Sequence, residues 1–205
     1  MKVSGLVLFL LFVNNCFCFS QSSEGRSNLL EWNEYYELTW EDFKGKRADE
    51  AKGDAGTAVI IKAKPYYVKN KVRYDVIAYF DRNKSWATDK SLSLLAHEKL
   101  HFDIAELYAR RIRKQIEELE KKNVNDIKTY NAAINLLLEE SNEVDQKYDL
   151  ETLHGALSKK QTLWEKKIKG ELQLLKMFKK RKSVIKISGV LNQEGQVYEA
   201  KEKYG

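Results

Sequence analysis

The chain has 205 residues and a formal net charge of +6 at pH 7, from 36 Lys and Arg against 30 Asp and Glu. This length suits a single domain with a real hydrophobic core and argues against an array of domains. The basic residues occur in short runs, such as Lys159-Lys160 and Lys166-Lys167, that are typical of a solvated surface. No nucleic-acid-binding motif accompanies them, so we expect no nucleic-acid partner.

A secretory signal peptide is predicted at residues 1–20. Lys2 precedes an apolar stretch at residues 3–13, and small or polar residues follow up to Ser20, which is the plan of a cleaved signal. The apolar stretch is too short for a transmembrane helix. Cleavage would remove Lys2 and no acidic residue, which leaves a charge of +5, and would also remove both cysteines of the chain. We therefore expect a periplasmic or secreted protein with no disulfide and no integral membrane segment; a lipid anchor on one cysteine is the alternative.

The elements after the signal predict an α+β fold. Between residues 34 and 86 the pattern is strand-like, and a Lys69-Asn70-Lys71 turn separates two runs rich in tyrosine and valine, which predicts a small, mostly antiparallel sheet of three or four strands. From residue 90 the apolar period becomes helical. The predicted helices lie near residues 90–121, 126–147 and 152–180. Residues 184–200 have the pattern of a terminal hairpin.

The first predicted helix carries the string His97-Glu98-Lys99-Leu100-His101, which contains two of the three histidines of the chain. On an α-helix the directions of His97 and His101 differ by roughly 40°, and Glu98 falls on the same side. The other residues on this side are apolar, so the motif is expected to point into the protein. The H-E-x-x-H pattern is typical of zinc-dependent hydrolases.

The chemistry of zinc explains why these residue types are needed. A catalytic zinc ion takes three protein ligands and keeps one position open for water, whose pKa it lowers. We therefore expect His97 and His101 to be ligands of Zn²⁺. Glu98 is expected to act as the general base, because a carboxylate outside the coordination sphere can take a proton from the attacking water and pass it to the leaving group. The alternative is that the three residues merely decorate a helix, but a buried glutamate beside two unpaired imidazoles would be costly.

A small sheet followed by a helix with this motif is the general plan of a zincin domain. We predict such a domain over residues 21–180, with residues 181–205 as a carboxy-terminal extension. In this plan the strand nearest the helix offers its edge to an extended peptide substrate, and residues 72–80 are the candidate edge strand. An ordinary core strand is the alternative interpretation of these residues.

A third zinc ligand has to come from downstream, because the acidic residues that follow in the same helix lie on its other side. His154 is the predicted ligand: neutral imidazole suits zinc, and Gly155 beside it would let another part of the backbone approach closely. Glu151 and Asp149 are the alternatives, and Asp149 could instead accept a hydrogen bond from an imidazole N–H. If one of the acids binds the metal, His154 or Tyr148 would be free to stabilise an oxyanion.

These residues resemble the motifs of a secreted bacterial family called domain of unknown function 922 (DUF922). The similar segments are Leu95-Ala96-His97-Glu98-Lys99-Leu100-His101-Phe102-Asp103-Ile104-Ala105-Glu106, then Tyr148-Asp149, Thr152-x-His154-Gly155 and Gln161-x-x-Trp164, and upstream Thr39-Trp40-x-Asp42-Phe43-x-Gly45. The likeness extends from about Trp40 to Trp164. It implies a zincin-like fold and a zinc-dependent protease site, and it supplies no substrate.

The combined expectation is a secreted zinc metalloprotease whose substrate is a peptide or protein. Zn²⁺ would activate water, Glu98 would move the protons and Tyr148 would stabilise the oxyanion. The alternative function is a zinc-bound envelope binding or scaffold module of the same fold that has no turnover. Glu98 favours the hydrolase, because a structural zinc site usually has a fourth protein ligand and needs no glutamate beside the metal.

Overall fold

A computed structural model describes residues 28–51 and 53–180. The predicted α+β architecture is confirmed: a small antiparallel sheet packs against three helices. None of the helices in these ranges is both long and apolar enough to cross a membrane. The predicted signal peptide at residues 1–20 and the predicted hairpin at residues 184–200 lie outside the described residues.

The main sheet has three strands in the order β1-β4-β3, with β1 at Leu29–Glu31, β3 at Val59–Val68 and β4 at Lys71–Asp81. β3 and β4 form a long hairpin in which Val59 faces Phe80 and Val68 faces Lys71. Lys69 and Asn70, with φ of 48° and 60°, form the turn between them, which is the left-handed pair that a two-residue hairpin loop requires. A separate two-stranded ladder joins β2, Ala55–Gly56, to β5, Trp86–Ala87.

The prediction that residues 72–80 form an edge strand is wrong. β4 is the central strand, because β3 pairs along its length and β1 pairs with its end at Tyr79–Asp81. The same face of β4 also supplies the core: Val72, Val76, Ala78 and Phe80 are buried. The alternative interpretation, an ordinary core strand, is the correct one for these residues.

The first helix, α1, spans Leu92–Lys121 and runs through the middle of the protein. Its amino terminus is capped by Ser91, whose side chain accepts a hydrogen bond from the Leu94 N–H, as is common at helix starts. The sheet packs on one side of α1 around Phe102, Ala105 and Ala109. The other helices pack on another side around residues such as Ile104. The histidine motif is therefore held on a rigid, mostly buried element.

The second helix, α2, spans Ile127–Thr152, and the third, α3, spans Ser158–Leu174. Asp126 caps α2 by accepting from the N–H groups of Lys128 and Thr129. α2 begins within one residue of the predicted start and continues five residues beyond residue 147. α3 is shorter than predicted, because it starts at Ser158 instead of residue 152 and ends at Leu174 instead of residue 180. The segment between them turns at Leu153, His154 and Gly155, which have φ of 48°, 51° and 84°. Three successive left-handed residues reverse the chain beside α1.

Candidate metal centre

Three side chains from α1 and α2 converge on one point. The Nε2 atoms of His97 and His101 lie 3.3 Å apart, and Asp149 Oδ1 lies 3.1 Å from the first and 3.2 Å from the second. The rings of the two histidines meet nearly at right angles. His97 and His101 are one turn apart on α1, as the sequence predicted, while Asp149 comes from the last turn of α2. These three residues form the potential metal-binding group found among the described residues.

The spacing of these atoms fits zinc. Ligand atoms at the corners of a tetrahedron, each 2.0 to 2.1 Å from a zinc ion, lie about 3.3 to 3.4 Å from one another. The three observed separations of 3.1, 3.2 and 3.3 Å form a nearly equilateral triangle of that size. Two imidazole nitrogens and one carboxylate oxygen are also a donor set that zinc accepts in catalytic sites. The residues therefore fit a three-ligand site for this metal.

Hydrogen bonds on the far side of each imidazole hold the rings in the required tautomer. His101 Nδ1 lies 2.6 Å from Asp145 Oδ1, and His97 Nδ1 lies 3.3 Å from Gln161 Oε1. Because both partners are acceptors, each Nδ1 carries a proton and each Nε2 can present its lone pair to a metal. A carboxylate or amide oxygen behind a ligating histidine is the usual device for fixing ring orientation.

Gln161 is itself held in one orientation. Its Nε2 donates to Glu165 Oε1 at 3.0 Å, so its Oε1 faces His97 and also accepts from the Tyr148 hydroxyl at 2.7 Å. Sequence reasoning gave no role to Asp145 or Gln161. The signal for Asp145 was its position one turn before Asp149 on the same helix, and Gln161 stood in the Gln161-x-x-Trp164 segment without a role of its own.

Tyr148 lies underneath the histidines. Its ring stacks on His97 with centroids 4.6 Å apart and meets His101 at 5.0 Å. The residue is fully buried, and its hydroxyl lies within hydrogen-bond distance of Gln161 Oε1 and of the His97 carbonyl oxygen, at 2.7 and 3.1 Å. Burial raises the pKa of Tyr148 far above its ordinary value, so the phenol remains neutral. This geometry suits a residue that positions His97, and the predicted role at an oxyanion stays a prediction.

Glu98 is buried, with an exposed fraction of 3%. Its carboxylate oxygen Oε2 has no hydrogen-bond partner among the described residues. A buried polar atom without a hydrogen-bond partner costs about 1–3 kcal/mol in desolvation, and a charged group costs more. Folding tolerates such a cost mainly where function uses the group.

The metal-binding group opens into a cleft of about 460 Å³. α1, α2 and the turn after α2 form one wall, and the segment that contains β2 forms the other. The lining residues are Gly53, Asp54, Ala55, Gly56, Thr57, Trp86, Leu94, His97, Glu98, His101, Asp145, Asp149, Leu153, His154 and Ala156. The site is therefore accessible from solvent, and all three members of the H-E-x-x-H motif face the cleft.

The two other predicted ligand candidates lie differently. His154 is at the rim of the cleft, with its side chain 65% exposed and its Nδ1 3.6 Å from Asp149 Oδ1. Glu151 faces α3, where its Oε2 accepts a hydrogen bond from the Trp164 indole N–H at 2.9 Å. The structure thus brings Asp149, one of the two alternatives, against the histidine pair, and leaves His154 beside it.

Gly155 makes the close approach between the turn and α1. A Cβ atom at this position would lie 2.9 Å from His97 Cβ, and the residue has φ of +84°. We expect Gly155→Ala to lower the free energy of unfolding by about 2–4 kcal/mol, because it adds left-handed strain and an overpacked contact. It should also weaken zinc binding by displacing His97.

Urea unfolding and zinc titration test this expectation. Gly170→Ala is the matched control, because nothing lies within 4 Å of a Cβ there and the residue is inside α3. That change should raise stability by about 0.5–1 kcal/mol. Equal effects of the two substitutions would contradict the role of Gly155.

Asp145 and Asp149 change the protonation state of His101. Burial disfavours the charged imidazolium, but the hydrogen bonds and negative charges of Asp145 and Asp149 outweigh it and raise the pKa of His101 to about 10. Burial likewise opposes the charge of Asp149, but the two imidazoles hold the pKa of Asp149 well below its usual range. The metal-free site therefore contains a protonated histidine between two carboxylates at neutral pH.

Zinc binding is consequently expected to release about one proton at pH 7–8, because His101 Nε2 must lose its proton before it can bind the metal. Since the pKa of His101 is raised, apparent zinc affinity should increase about tenfold per pH unit up to that pKa. Calorimetry in buffers of different ionisation enthalpy measures the released protons. Asp145→Asn removes one of the two charges that raise the pKa and should reduce the release; an unchanged value would contradict this explanation.

Comparison with known proteins identifies a family whose model matches part of the chain. The family described as "Bacterial protein of unknown function (DUF922)" matches the chain over residues 69–155. This range contains all three residues of the metal-binding group as well as Glu98, Asp145 and Tyr148. No curated protein and no solved structure was found to match the chain.

Proposed function

Because residues 69–155 make this chain a member of DUF922, a bacterial family of unknown function, we propose a function from the chemistry of its own site. The protein is a zinc-dependent hydrolase of peptide bonds with a zincin-like arrangement of sheet, active-site helix and cleft. Export to the periplasm or the cell exterior is part of the proposal and is based on the signal-like pattern of residues 1–20.

The observation that carries the proposal is the combination of three potential ligand atoms and the Glu98 carboxylate in a single open cleft. His97, His101 and Asp149 provide three corners of a tetrahedron, and the cleft is open at the fourth. Glu98 lines the same cleft with a buried carboxylate oxygen that has no partner among the described residues. A structural zinc site would be closed by a fourth protein ligand and would not require an unpaired acid.

Each residue then has a defined role. His97, His101 and Asp149 would hold the zinc ion, which when bound polarises a carbonyl group and lowers the pKa of water. Glu98 accepts a proton from the water that attacks the peptide carbonyl and delivers it to the leaving nitrogen. Asp145 and Gln161 keep the two imidazoles in the tautomer that presents Nε2. Tyr148 supports His97 from below through ring stacking.

The segment around β2 is suited to bind the substrate backbone. The Thr88 N–H donates to the Asp54 carbonyl oxygen, so the N–H and C=O groups of Asp54 point towards β5 and its continuation. Along an antiparallel strand the direction of these groups alternates from residue to residue, so those of Ala55 point away from β5. Ala55 and Thr57 line the cleft, and Thr57 Oγ1 donates to the Glu98 carbonyl oxygen at 3.4 Å. An extended peptide could add to this edge with main-chain hydrogen bonds. β2 therefore replaces β4 as the proposed substrate-binding strand.

Metal content and peptide hydrolysis test the proposal together. We expect the purified protein to bind about one zinc ion and to cleave an unstructured protein such as casein, with loss of activity in a chelator and recovery on addition of zinc. Zinc binding without cleavage of any peptide library member would favour the alternative, a zinc-bound binding or scaffold module. A protein that binds no zinc would contradict both.

A further inference from the structure

The cleft differs in charge from the rest of the protein. The chain as a whole carries a formal charge of +6. Histidines apart, every charged residue that lines the cleft within the described part of the chain is acidic: Asp54, Glu98, Asp145 and Asp149. Although the protein is basic, no lysine or arginine is among these lining residues. Arg47, which lies over the Trp86 ring at 5.4 Å from its centroid, is not part of the lining.

A zinc ion would not neutralise this cleft. Four carboxylates face the two positive charges of the ion, and the ligating imidazoles are neutral, so two negative charges remain in excess. Low-dielectric walls concentrate such a field inside a cleft and attract ligands of the opposite charge. Because Asp149 would be a ligand and Asp145 and Glu98 are already engaged with the site, the excess charge is available to substrate mainly through Asp54.

Asp54 is well located to contact a substrate side chain. It is exposed and directly precedes β2, the strand whose edge is proposed to bind the peptide backbone. Within residues 28–51 and 53–180 its carboxylate makes no hydrogen bond or ion pair, although its carbonyl oxygen accepts hydrogen bonds from Thr88. A free carboxylate beside an extended peptide is the usual means of selecting a cationic side chain.

The neighbouring wall also suits a long aliphatic cation. Trp86 lines the cleft and packs against Gly56, where a Cβ atom would lie only 2.8 Å from the indole Nε1. An indole wall and a carboxylate together offer a lysine or arginine both an apolar surface for its stem and a charge for its head group. Any larger residue at position 56 would displace this wall.

We propose that the enzyme acts on cationic peptides, and that Asp54 selects a positively charged group close to the scissile bond. This inference rests on the proposed hydrolase function. The cationic group is a lysine or arginine side chain or a free peptide amino terminus. Substrates with an acidic residue or a free carboxyl terminus at the same distance are disfavoured, because the described lining offers them no cation except the metal.

Affinity for peptide hydroxamates tests this preference without depending on turnover. The hydroxamate group chelates zinc, so a set that differs only in Lys, Gln or Glu at one position reports the charge preference of the cleft in the zinc-loaded wild-type protein at pH 8. We expect Lys to bind about tenfold more tightly than Gln and Glu to bind most weakly. The difference should shrink in high salt. Acetylated and free amino termini distinguish the two sources of positive charge.

Asp54→Asn should reduce the ratio of Lys to Gln affinity by about three- to fivefold. Asp75→Asn is the matched control, since Asp75 is also exposed but lies on β4 outside the cleft, and it should leave the ratio unchanged. Equal affinity for the three hydroxamates, or no binding of any of them, would overturn the inference. Cleavage of peptides without charge preference would support the hydrolase function and contradict the preference for cationic peptides. Tighter binding of the Lys hydroxamate without cleavage of any peptide would support the cationic preference of the cleft and contradict the hydrolase function.

Discussion

Asp149→Ala is expected to remove zinc from the purified protein. Asp149 Oδ1 lies 3.1 and 3.2 Å from the two imidazole nitrogens, and it supplies the only anionic ligand of the proposed site. Loss of a residue that merely supports a ligand usually lowers metal affinity 10- to 100-fold, so loss of this ligand should lower it by more than about 100-fold. Elemental analysis of the purified variant and competition with a chelator measure the change.

Two neighbouring variants make this result specific. His154→Ala removes an exposed imidazole next to Asp149, and Glu151→Ala removes a carboxylate bound to Trp164. Both should retain about one zinc ion per chain, with affinity within roughly tenfold of the wild type. If His154→Ala loses the metal and Asp149→Ala keeps it, the three-histidine site predicted from the sequence is right and the assignment of Asp149 is wrong.

Glu98→Gln is expected to abolish hydrolysis while zinc is retained. The amide has nearly the volume of the carboxylate but cannot accept a proton, so kcat should fall by about 10²- to 10⁴-fold, the usual contribution of a general base. The buried carboxylate has an oxygen without a partner in the described residues. Replacing it with a neutral group should therefore raise the free energy of unfolding of the metal-free protein by about 1–3 kcal/mol.

The combination of lost activity, retained zinc and higher stability separates a catalytic group from a structural one. Steady-state kinetics, elemental analysis and urea unfolding in a chelator provide the three measurements. A purely structural Glu98 would leave hydrolysis intact or lower the stability of the variant. Glu165→Gln is a suitable control, because Glu165 supports Gln161 through one hydrogen bond and does not line the cleft.

The helices were predictable because their signals are local. A 3.6-residue apolar period and capping residues such as Ser91 and Asp126 depend on neighbours within one or two turns of the chain. The β3–β4 hairpin was predictable for the same reason, since Lys69-Asn70-Lys71 lies between its two strands. Strand order was not, because the pairing of β1 with the end of β4 joins residues about fifty positions apart. The edge-strand prediction was wrong because the sequence did not reveal this pairing of β1 with β4.

The sequence by itself determined the chemical centre of the candidate site: helical geometry alone puts His97, Glu98 and His101 on one side of α1. Only the tertiary structure decided which downstream residue meets them, because the crossing of α1 and α2 and the left-handed turn at 153–155 bring Asp149 against the imidazoles while His154 remains at the rim. It also decided that Asp54 and the β2 edge face the same cleft. Contacts of this kind depend on how separate elements pack, and no periodicity within one element encodes them.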